Sequence, residues 1–597
     1  MMPRGTRPFA RIAAGLTVAA LLILIFGGTV EAQGQTIGLI EHDPSQSEPG
    51  HTLFSPLNGS VTYLINNDGH VVHSWQASNR PGLMAYLLPN GNLLRAAQIP
   101  FHSNFSGARG AGGRIEEYDW DGTLLWQYDI SDDTYLQHHD IQKLPNGNVL
   151  LIAWEYKTSS EANAVGWGGN GSMWNEAILE IQQSGPTSGT IVWEWHGFDH
   201  LIQDVDSGKP NFGVVADNPQ RLDVNFNNAE DWAHLNTLAY NPFLDQIMMS
   251  SRDFSEFWII DHSTTTAEAA GTTGGNYGKG GDILYRWGNP QTYNRGTVLD
   301  QVYQNQHDTH WIEPGKPGVG NIIAFNNGSD RTYSSADEFI PAVNLFGVYD
   351  DPPGPSDPYE PTALTWTWEE TPPTGFFSPI ISGADRLTGG NTLITGGVGG
   401  NMFEVTNLGA VVWRYICPIS GSGAPLPQGT LPAPQGISSE NAVFKARRYP
   451  LSYSAFTGRT LTPQGPLEDF TSPQPVPNGS GASSPLTATR LTVAGDQLDV
   501  QWDAGTCAAS EYSILYGDLA DVSTYGLLGA ECAVGTGGSH TWLAVPSGNL
   551  FFLMVGQSAD GVYESSWGKS SGGEERNGTQ SSFLCSPTVK DIAQSCP

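Results

Sequence analysis

Three histidines recur at one position of a repeated pattern in this 597-residue sequence. His139, His234 and His307 each lie five residues before the start of a turn phrase. A neutral imidazole can act as a nucleophile, and its pKa of about 6.5 also suits acid–base catalysis or metal binding. Because the chain has only 14 His, three at one repeat position predict a functional site rather than three unrelated core histidines.

The elements that must position these histidines form an internal repeat. A strand–turn–strand phrase that ends in Trp is followed by a second hairpin, and Pro-Asn-Gly at 89–91 and 145–147 indicates its tight turn. The copies end at Trp75, Trp126, Trp193, Trp287, Trp366 and Trp413. Six units of about four strands predict an all-β fold, a six-bladed β-propeller over residues 33–450.

The repeat places the three histidines at the start of innermost strands, where they are expected to converge at one mouth of the central channel. Ser382 and Leu83 occupy the same position in the sixth and first units. The segment Asn441–Tyr449 is expected to supply the closing strand of the last blade.

Composition supports the all-β prediction and excludes some partners. Charged residues make up only 15%, while 72 Gly, 40 Pro and 10% aromatic residues favour strands and turns. The formal net charge of −33 repels phosphate groups, so nucleic acid and anionic membranes are excluded as partners.

The N-terminus predicts a secretory signal peptide over residues 1–32. Arg4, Arg7 and Arg11 precede an apolar run from 12 to 26, and small residues near Ala32 offer a cleavage site. The run is shorter than the about 20 residues of a membrane span. The protein is therefore expected to be secreted or periplasmic, with no membrane span.

The C-terminal third predicts a separate accessory module. Residues 451–485 are rich in Pro, Gly and Ser and are expected to form a linker. Residues 486–575 indicate a fibronectin type III-like β-sandwich, and a tail follows over 576–597. Local disulfides are expected between Cys507 and Cys532 and between Cys585 and Cys596, leaving Cys417 alone, although spacing does not fix this connectivity.

Polar residues beside the histidines complete the candidate site. His138, Asp140, Asn236 and Asp308 flank them and are candidate substrate-binding residues, with His138 expected on the opposite face of its strand. Arg252 offers a planar charged fork suited to an oxyanion.

Three histidines could also hold zinc with an open position. The one His-x-x-x-His pair, His196 and His200, lies outside the repeat position, so we predict no metal site.

These motifs together resemble the bacterial arylsulfate sulfotransferase family over about residues 50–450. The resemblance rests on His138-His-Asp140 before Leu-Pro-Asn-Gly-Asn, on Asp231-Trp-Ala-His-Leu-Asn236, on Arg252 placed 18 residues after His234, and on Gln306-His-Asp-Thr-His-Trp311. It implies a six-bladed secreted propeller that moves a sulfuryl group from an aryl sulfate ester to a phenolic acceptor.

Carried onto this sequence, the resemblance implies that His307 is the nucleophile and becomes transiently sulfated. His139, His234 and Arg252 would hold the sulfuryl oxygens. No nucleotide cofactor is implied, and the only loop-like candidate, Gly568-Lys-Ser-Ser571, lacks the earlier glycine of a phosphate-binding loop.

Known family members carry an N-terminal β-domain that contributes to dimerisation, and it is not evident here, so the oligomeric state stays open.

Other classes of protein also remain open from the sequence. A secreted binding propeller without activity is the main alternative. A quinoprotein dehydrogenase or a metal-dependent enzyme is less favoured, since the chain shows six units rather than eight and no adjacent Cys pair.

Overall fold

The computed structural model describes residues 36–426, 441–468, 486–504, 509–558, 561–567, 575–578 and 580–591. The predicted signal peptide, residues 469–485 of the predicted linker, and both Cys507 and Cys596 lie outside these ranges. No helix among the described residues is long and apolar enough to cross a membrane.

The described part of the protein is all-β, with 40% of its residues in strands and 8% in helices. Up to residue 450 the strands are β1 (Gly38–His42), β2 (Gly50–Phe54), β3 (Val61–Asn66), β4 (Val71–Gln76), β5 (Pro81–Leu87), β6 (Leu93–Gln98), β7 (Gly113–Tyr118), β8 (Leu124–Asp129), β9 (Tyr135–Lys143), β10 (Val149–Lys157), β11 (Met173–Gly185), β12 (Ser188–His196), β13 (Leu201–Ile202), β14 (Leu222–Asp223), β15 (Leu235–Asn241), β16 (Gln246–Ser251), β17 (Glu256–Asp261), β18 (Tyr285–Trp287), β19 (His307–Trp311), β20 (Ile322–Asn326), β21 (Ser335–Phe339), β22 (Trp366–Glu369), β23 (Gly383–Arg386), β24 (Thr392–Gly396), β25 (Asn401–Val405), β26 (Val411–Ile416) and β27 (Arg447–Pro450).

Helices are short and lie in the connections. The α-helices are α1 (Ser159–Ala164) and α2 (Thr266–Ala269), each begun by a Thr–Glu capping box. The 3-10 helices span Ser103–Phe105, Gly197–His200, Val215–Asp217, Pro290–Tyr293, Val298–Asp300, Pro373–Gly375, Gly397–Gly399, Ser454–Phe456 and Leu519–Asp521.

Most of these strands form antiparallel sheets of four or five strands. Four of the sheets each come from one stretch of chain, and two include one strand from the opposite end of this region. The strand orders are β27-β2-β3-β4, β5-β6-β7-β8, β9-β10-β11-β12, β15-β16-β17-β18, β19-β20-β21-β22 and β23-β24-β25-β26-β1. The sheets are numbered one to six in this order. The first strands β5, β9, β15, β19 and β23 pack against one another in succession.

The six tryptophans of the sequence repeat explain how neighbouring sheets are joined. Each lies on the fourth strand of its sheet, and its indole N–H donates to a residue in, or directly after, the connection between the third and fourth strands of the next sheet. The bonds run from Trp75 to Asp119, Trp126 to Ser188, Trp193 to Thr264, Trp287 to Pro361, Trp366 to Asn407 and Trp413 to Asn67. A buried indole must satisfy its donor, and the last bond returns from sheet six to sheet one.

Both ends of this region close the series of sheets, but not as the sequence predicted. The prediction that Asn441–Tyr449 closes the last blade is wrong, because β27 pairs with β2 in sheet one. Sheet six is instead completed by β1, which pairs with β26. Residues after β27 continue onto sheet one, where Ala455 and Phe456 pack into its core.

The C-terminal residues form two further sheets from short strands. The strands are β28 (Thr487–Arg490), β29 (Leu498–Gln501), β30 (Glu511–Asp518), β31 (Leu527–Glu531), β32 (Ser539–Trp542), β33 (Leu550–Gln557), β34 (Tyr563–Ser565) and β35 (Val589–Asp591). Their orders are β28-β29-β32 and β31-β30-β33-β34-β35. Trp502, Tyr512 and Trp542 are part of the apolar core of this region.

The predicted disulfide pairing is wrong. Cys532 is bonded to Cys585, 53 residues away in sequence, so neither can pair with Cys507 or Cys596. The chain folds β33 and β34 between them and brings their Cα atoms to 5.4 Å. Cys417 is free and buried, as the sequence led us to expect.

Candidate functional site

The candidate site is built on a backbone irregularity shared by five of the six sheets. Positive φ angles occur at Leu83 (89°), His139 (52°), His234 (50°), Asp308 (56°) and Ser382 (91°). Four of these are the positions aligned from the turn phrases, and Asp308 directly follows the fifth aligned position. Such angles are rare outside glycine, and bulges of this kind redirect side chains. The repeated geometry explains why equivalent histidines point toward a common place.

The structure brings the three histidines and the arginine together. The rings of His139 and His234 meet edge to face with centroids 4.7 Å apart. His139 and His307 both contact the ring of Phe444, at 6.0 and 6.3 Å. Arg252 joins them through its backbone N–H, which donates to the carbonyl of His234 at 3.1 Å. The predicted cluster therefore exists as a cluster in space.

His307 is held as a neutral ring with a defined tautomer. Its Nδ1 faces two acceptors, the carbonyl of Asn305 at 3.0 Å and Oδ1 of Asn327 at 2.7 Å. The Asn327 amide is oriented by its own Nδ2, which donates to the carbonyls of Ser378 and Ile381. Nδ1 must therefore carry the hydrogen, and the lone pair lies on Nε2. Burial lowers the pKa of His307 to about 3, despite the opposing effect of these bonds.

His234 and Arg252 provide positive charge beside this ring. Nδ1 of His234 donates to Oδ2 of Asp231 at 2.6 Å. Burial disfavours the charged ring, but the Asp231 carboxylate outweighs it and raises the pKa of His234. The guanidinium of Arg252 is held by Asp253. The site thus contains the guanidinium of Arg252 and a histidine whose surroundings favour its cationic form, beside a neutral imidazole.

His138 does not point to the opposite face, so that prediction is wrong. Its Nδ1 lies 2.8 Å from Nδ1 of His139, and its Nε2 lies 3.1 Å from Oε2 of Glu176. The strand alternation fails because His139 has a positive φ. The His138 ring also stacks on Trp154, with centroids 3.8 Å apart, and both His138 and Glu176 are fully buried.

The remaining predicted site residues are bonded into the scaffold. Asn236 donates from Nδ2 to the carbonyl of Gln306 at 2.7 Å, which ties β15 to the start of β19. Asp140 and Asp308 share Lys445, whose Nζ donates to both at 3.0 and 2.9 Å. Although burial opposes ionisation, Arg447 and Lys445 together lower the pKa of Asp308 to about 2. These carboxylates fix the backbone beside His139 and His307.

Sequence reasoning missed four residues of the site. Glu176, Asn327, Phe444 and Lys445 contact the predicted residues but occupy no repeat position. A weak signal existed for Phe444 and Lys445, since they are adjacent in Asn441–Tyr449, the segment that was expected only to supply a closing strand. Glu176 offered the signal of a charged residue inside an apolar strand, Met173-Trp-Asn-Glu-Ala-Ile-Leu179.

A separate cavity of about 710 Å³ opens at the carboxyl ends of the first strands. It is lined mainly by aromatic and aliphatic groups, including Tyr86, Leu238, Trp311 and Tyr449, with Arg447 at its wall. None of His139, His234 and His307 lines it. The cavity and the histidine cluster are therefore separate places in the fold.

Within the described ranges, no group of three or more His, Cys, Asp and Glu side chains is arranged to hold a metal ion. Nδ1 of each of the three histidines already has a partner: His138 for His139, Asp231 for His234, and Asn305 and Asn327 for His307.

The fold and site define a class: an all-β protein of small antiparallel sheets, with a cluster of histidines at the first strands of three sheets and an arginine directly after the second strand of one of them. Residues 58–343 match the sequence model described as arylsulfotransferase (ASST), and this match supports the arylsulfotransferase family for that segment of the chain. The match confirms the family resemblance found in the motifs. It spans His139, His234, Arg252 and His307 and ends before β22.

No curated protein matches the chain. Solved structures that resemble it share little sequence. They include a protein of unknown function from Bacteroides caccae (11% identity, 67% of this chain and 98% of that chain, TM-score 0.36). Two others are a putative 6-phosphogluconolactonase from Bacteroides fragilis (12%, 68% and 100%, TM-score 0.32) and a periplasmic gluconolactonase from Pseudomonas aeruginosa (10%, 84% and 99%, TM-score 0.30).

Proposed function

We propose that this protein is a secreted aryl sulfotransferase that moves a sulfuryl group from an aryl sulfate ester to a phenol without a nucleotide cofactor. The six Trp-linked sheets are, in this proposal, the blades of a six-bladed propeller. The observation that carries the proposal is the state of His307: neutral, with Nδ1 occupied by two acceptors and the lone pair on Nε2.

His307 acts as the nucleophile in this proposal. Nε2 attacks sulfur, the bond from sulfur to the aryl oxygen breaks, and the sulfuryl group stays on the ring. The acceptor phenol then takes the group from the sulfated ring. Splitting the transfer into two displacements is the advantage of covalent catalysis. Asn305 and Asn327 keep the Nδ1 hydrogen in place, so the ring presents the same nitrogen in both steps.

His234 and Arg252 bind the sulfuryl oxygens. Both carry positive charge in a largely buried site, where electrostatic stabilisation of developing negative charge is strong. Asp231 keeps His234 protonated, and Asp253 orients Arg252. His139 stands beside His234 and serves as the group that exchanges a proton with the phenols.

The sequence suggested four further residues as substrate-binding. In this proposal they hold the reactive residues in place and do not bind substrate: Asn236, Asp140, Asp308 and His138. The Cys532–Cys585 disulfide agrees with an oxidising compartment. The two C-terminal sheets are proposed to be a fibronectin type III-like accessory module.

The test is release of 4-nitrophenol from 4-nitrophenyl sulfate, with and without added phenol. We expect release that depends on phenol, its loss in His307→Ala, and an increase in protein mass by one SO₃ group on His307 when no acceptor is present. His310→Ala is the matched control, since His310 lies on the same strand but lines the separate cavity. Release that ignores phenol would indicate a hydrolase, and no release would favour the alternative of a binding propeller.

A further inference from the structure

We propose that Glu176 stores the proton of the transfer reaction and exchanges it with the phenols through His138 and His139. Glu176 and His138 are positioning residues in this scheme, while His139 meets the substrate. The inference rests on the proposed function and goes beyond it, because it assigns where the proton waits between the two displacements.

The three side chains form one continuous hydrogen-bonded line. Oε2 of Glu176 lies 3.1 Å from Nε2 of His138, and Nδ1 of His138 lies 2.8 Å from Nδ1 of His139. Glu176 and His138 are 0% exposed and His139 is 3% exposed. The line leads from the interior of sheet three to the ring of His139, which contacts the ring of His234.

The hydrogens of the line can be placed from its surroundings. Oε1 of Glu176 accepts the backbone N–H of Leu235 at 2.9 Å, so a proton on the carboxyl group belongs on Oε2. Burial raises the pKa of Glu176 well above its ordinary value, and nearby Asp231 raises it further. Burial lowers the pKa of His138 well below its ordinary value. The resting state is therefore a neutral carboxylic acid and a neutral imidazole.

Other charged groups near these three side chains also shift the pKa values of Glu176 and His139. Asp253 also raises the pKa of Glu176, while His234 lowers it. For His139, burial dominates, and His234, His138, His307 and Arg252 all lower its pKa. A neutral His139 whose Nδ1 accepts from His138 carries its own hydrogen on Nε2, the nitrogen left for a substrate.

In the first displacement the proton moves outward. As Nε2 of His307 bonds to sulfur, the aryl oxygen leaves with the electron pair and takes the hydrogen from Nε2 of His139. Nδ1 of His139 takes the hydrogen from Nδ1 of His138, and Nε2 of His138 takes the hydrogen from Oε2 of Glu176. A neutral phenol leaves, and Glu176 remains as a carboxylate.

The second displacement reverses every transfer. The acceptor phenol gives its proton to Nε2 of His139, and the same chain returns a hydrogen to Oε2 of Glu176. The acceptor oxygen bonds to sulfur while the electron pair of the nitrogen–sulfur bond returns to Nε2 of His307. Because the Glu176 carboxylate is buried and shielded from solvent, the proton that it regains comes from the acceptor phenol and not from bulk water.

The experiment measures the first displacement alone, with enzyme in excess and no acceptor, by rapid mixing. Two donors are compared: 4-nitrophenyl sulfate, whose leaving group is a stable anion, and phenyl sulfate, whose leaving group has a pKa of about 10, like tyrosine. Glu176→Gln is the main variant. Its amide can accept from Leu235 and donate to His138, so it keeps the hydrogen bonds but cannot release a proton.

Glu180→Gln is the matched control. Glu180 lies on the same strand, is 5% exposed, and also binds a histidine, His262, at 3.0 Å, but away from the cluster. His138→Gln interrupts the proposed line at a second point. It provides an independent variant if Glu176→Gln is poorly folded.

We expect Glu176→Gln and His138→Gln to slow sulfation from phenyl sulfate by about 10²- to 10⁴-fold, the usual range for general acid catalysis. The rate with 4-nitrophenyl sulfate should change far less, which would also show that the variants are folded. Glu180→Gln should behave as the wild type with both donors.

Equal slowing with both donors, or slowing with neither, would overturn the inference, since a structural role does not depend on the leaving group. Absence of His307-dependent sulfation in the wild type with either donor would overturn the proposed function and this inference with it. That outcome is recognised before any variant is compared, so the two failures are distinguishable.

Discussion

Replacing Asp231 by Asn should move the alkaline limit of activity toward lower pH. The 2.6 Å bond from His234 to the carboxylate is charge-assisted, and such hydrogen bonds contribute about 1.5–3 kcal/mol. Since one pH unit corresponds to about 1.4 kcal/mol, the pKa of His234 should fall by about one to two. The side chains are only 12% and 25% exposed, so solvent screens the pair weakly.

The sign of the effect follows from which form of His234 is active. The pKa of His234 is raised in the folded protein, so its cationic form, which would bind sulfuryl oxygens, is present at low pH and lost as pH rises through that value. Above both limits, kcat/KM for 4-nitrophenyl sulfate should fall about 10- to 100-fold in Asp231→Asn, in line with the lowered pKa. At acidic pH, where His234 is protonated in both proteins, the two should converge.

The assay is a pH profile of kcat/KM with phenol as acceptor, run beside Asp245→Asn. Asp245 binds Nδ1 of His262 at 2.7 Å, which makes it a carboxylate–histidine pair remote from the cluster. Its removal should leave the profile unchanged. A loss of activity in Asp231→Asn that is the same at every pH would refute the reasoning, because it would reflect displaced structure and not a lost charge.

Three further predictions test other parts of the site and fold. Gly110→Ala should lower kcat/KM at least about 10-fold, since the added Cβ would lie 2.2 Å from Cε1 of His139. Gly107 has a similar φ but open space around it, so Gly107→Ala should leave kcat/KM unchanged. Equal losses of kcat/KM in the two variants would point to backbone strain alone. Asn327→Asp should move the acidic limit of kcat/KM upward from about 3, the pKa of the proposed nucleophile, because a carboxylate favours a protonated ring; an unmoved limit in the pH profile would contradict that tautomer assignment. Trp413→Phe should lower the free energy of unfolding by about 1–3 kcal/mol in urea, since a buried bond is lost; an unchanged value would mean that this bond does not stabilise the closed series.

The sequence predicted the histidines of the site because they are local to a repeat. Each histidine precedes a turn whose residues can be recognised in the sequence. Equal spacing from equivalent turns implies an equivalent position on equivalent strands. The same argument predicted that Trp413 belongs with its five counterparts. Local periodicity is enough wherever a residue's place is set by the element that carries it.

What the sequence did not reveal depends on contacts between distant segments. Phe444 reaches His307 only because β27 returns to sheet one, and nothing near either residue signals that path. The sequence analysis did not predict the bond between Cys532 and Cys585 for the same reason, because it paired each cysteine with one nearer in sequence. His138 was assigned to the wrong face because strand alternation was assumed through His139, whose positive φ has no glycine to mark it.

The late position of Phe444 and Lys445 in the chain has a consequence for how the site matures. The three histidines lie between residues 139 and 307, yet the ring of Phe444 and the ammonium of Lys445 that complete their surroundings are synthesised more than a hundred residues later. Because chains are made from the N-terminus onward, the three middle sheets can form while the site is still unfinished. The site would therefore be complete only after β27 and the residues before it have been made, and a chain halted before that point would have the three histidines without Phe444 and Lys445 beside them.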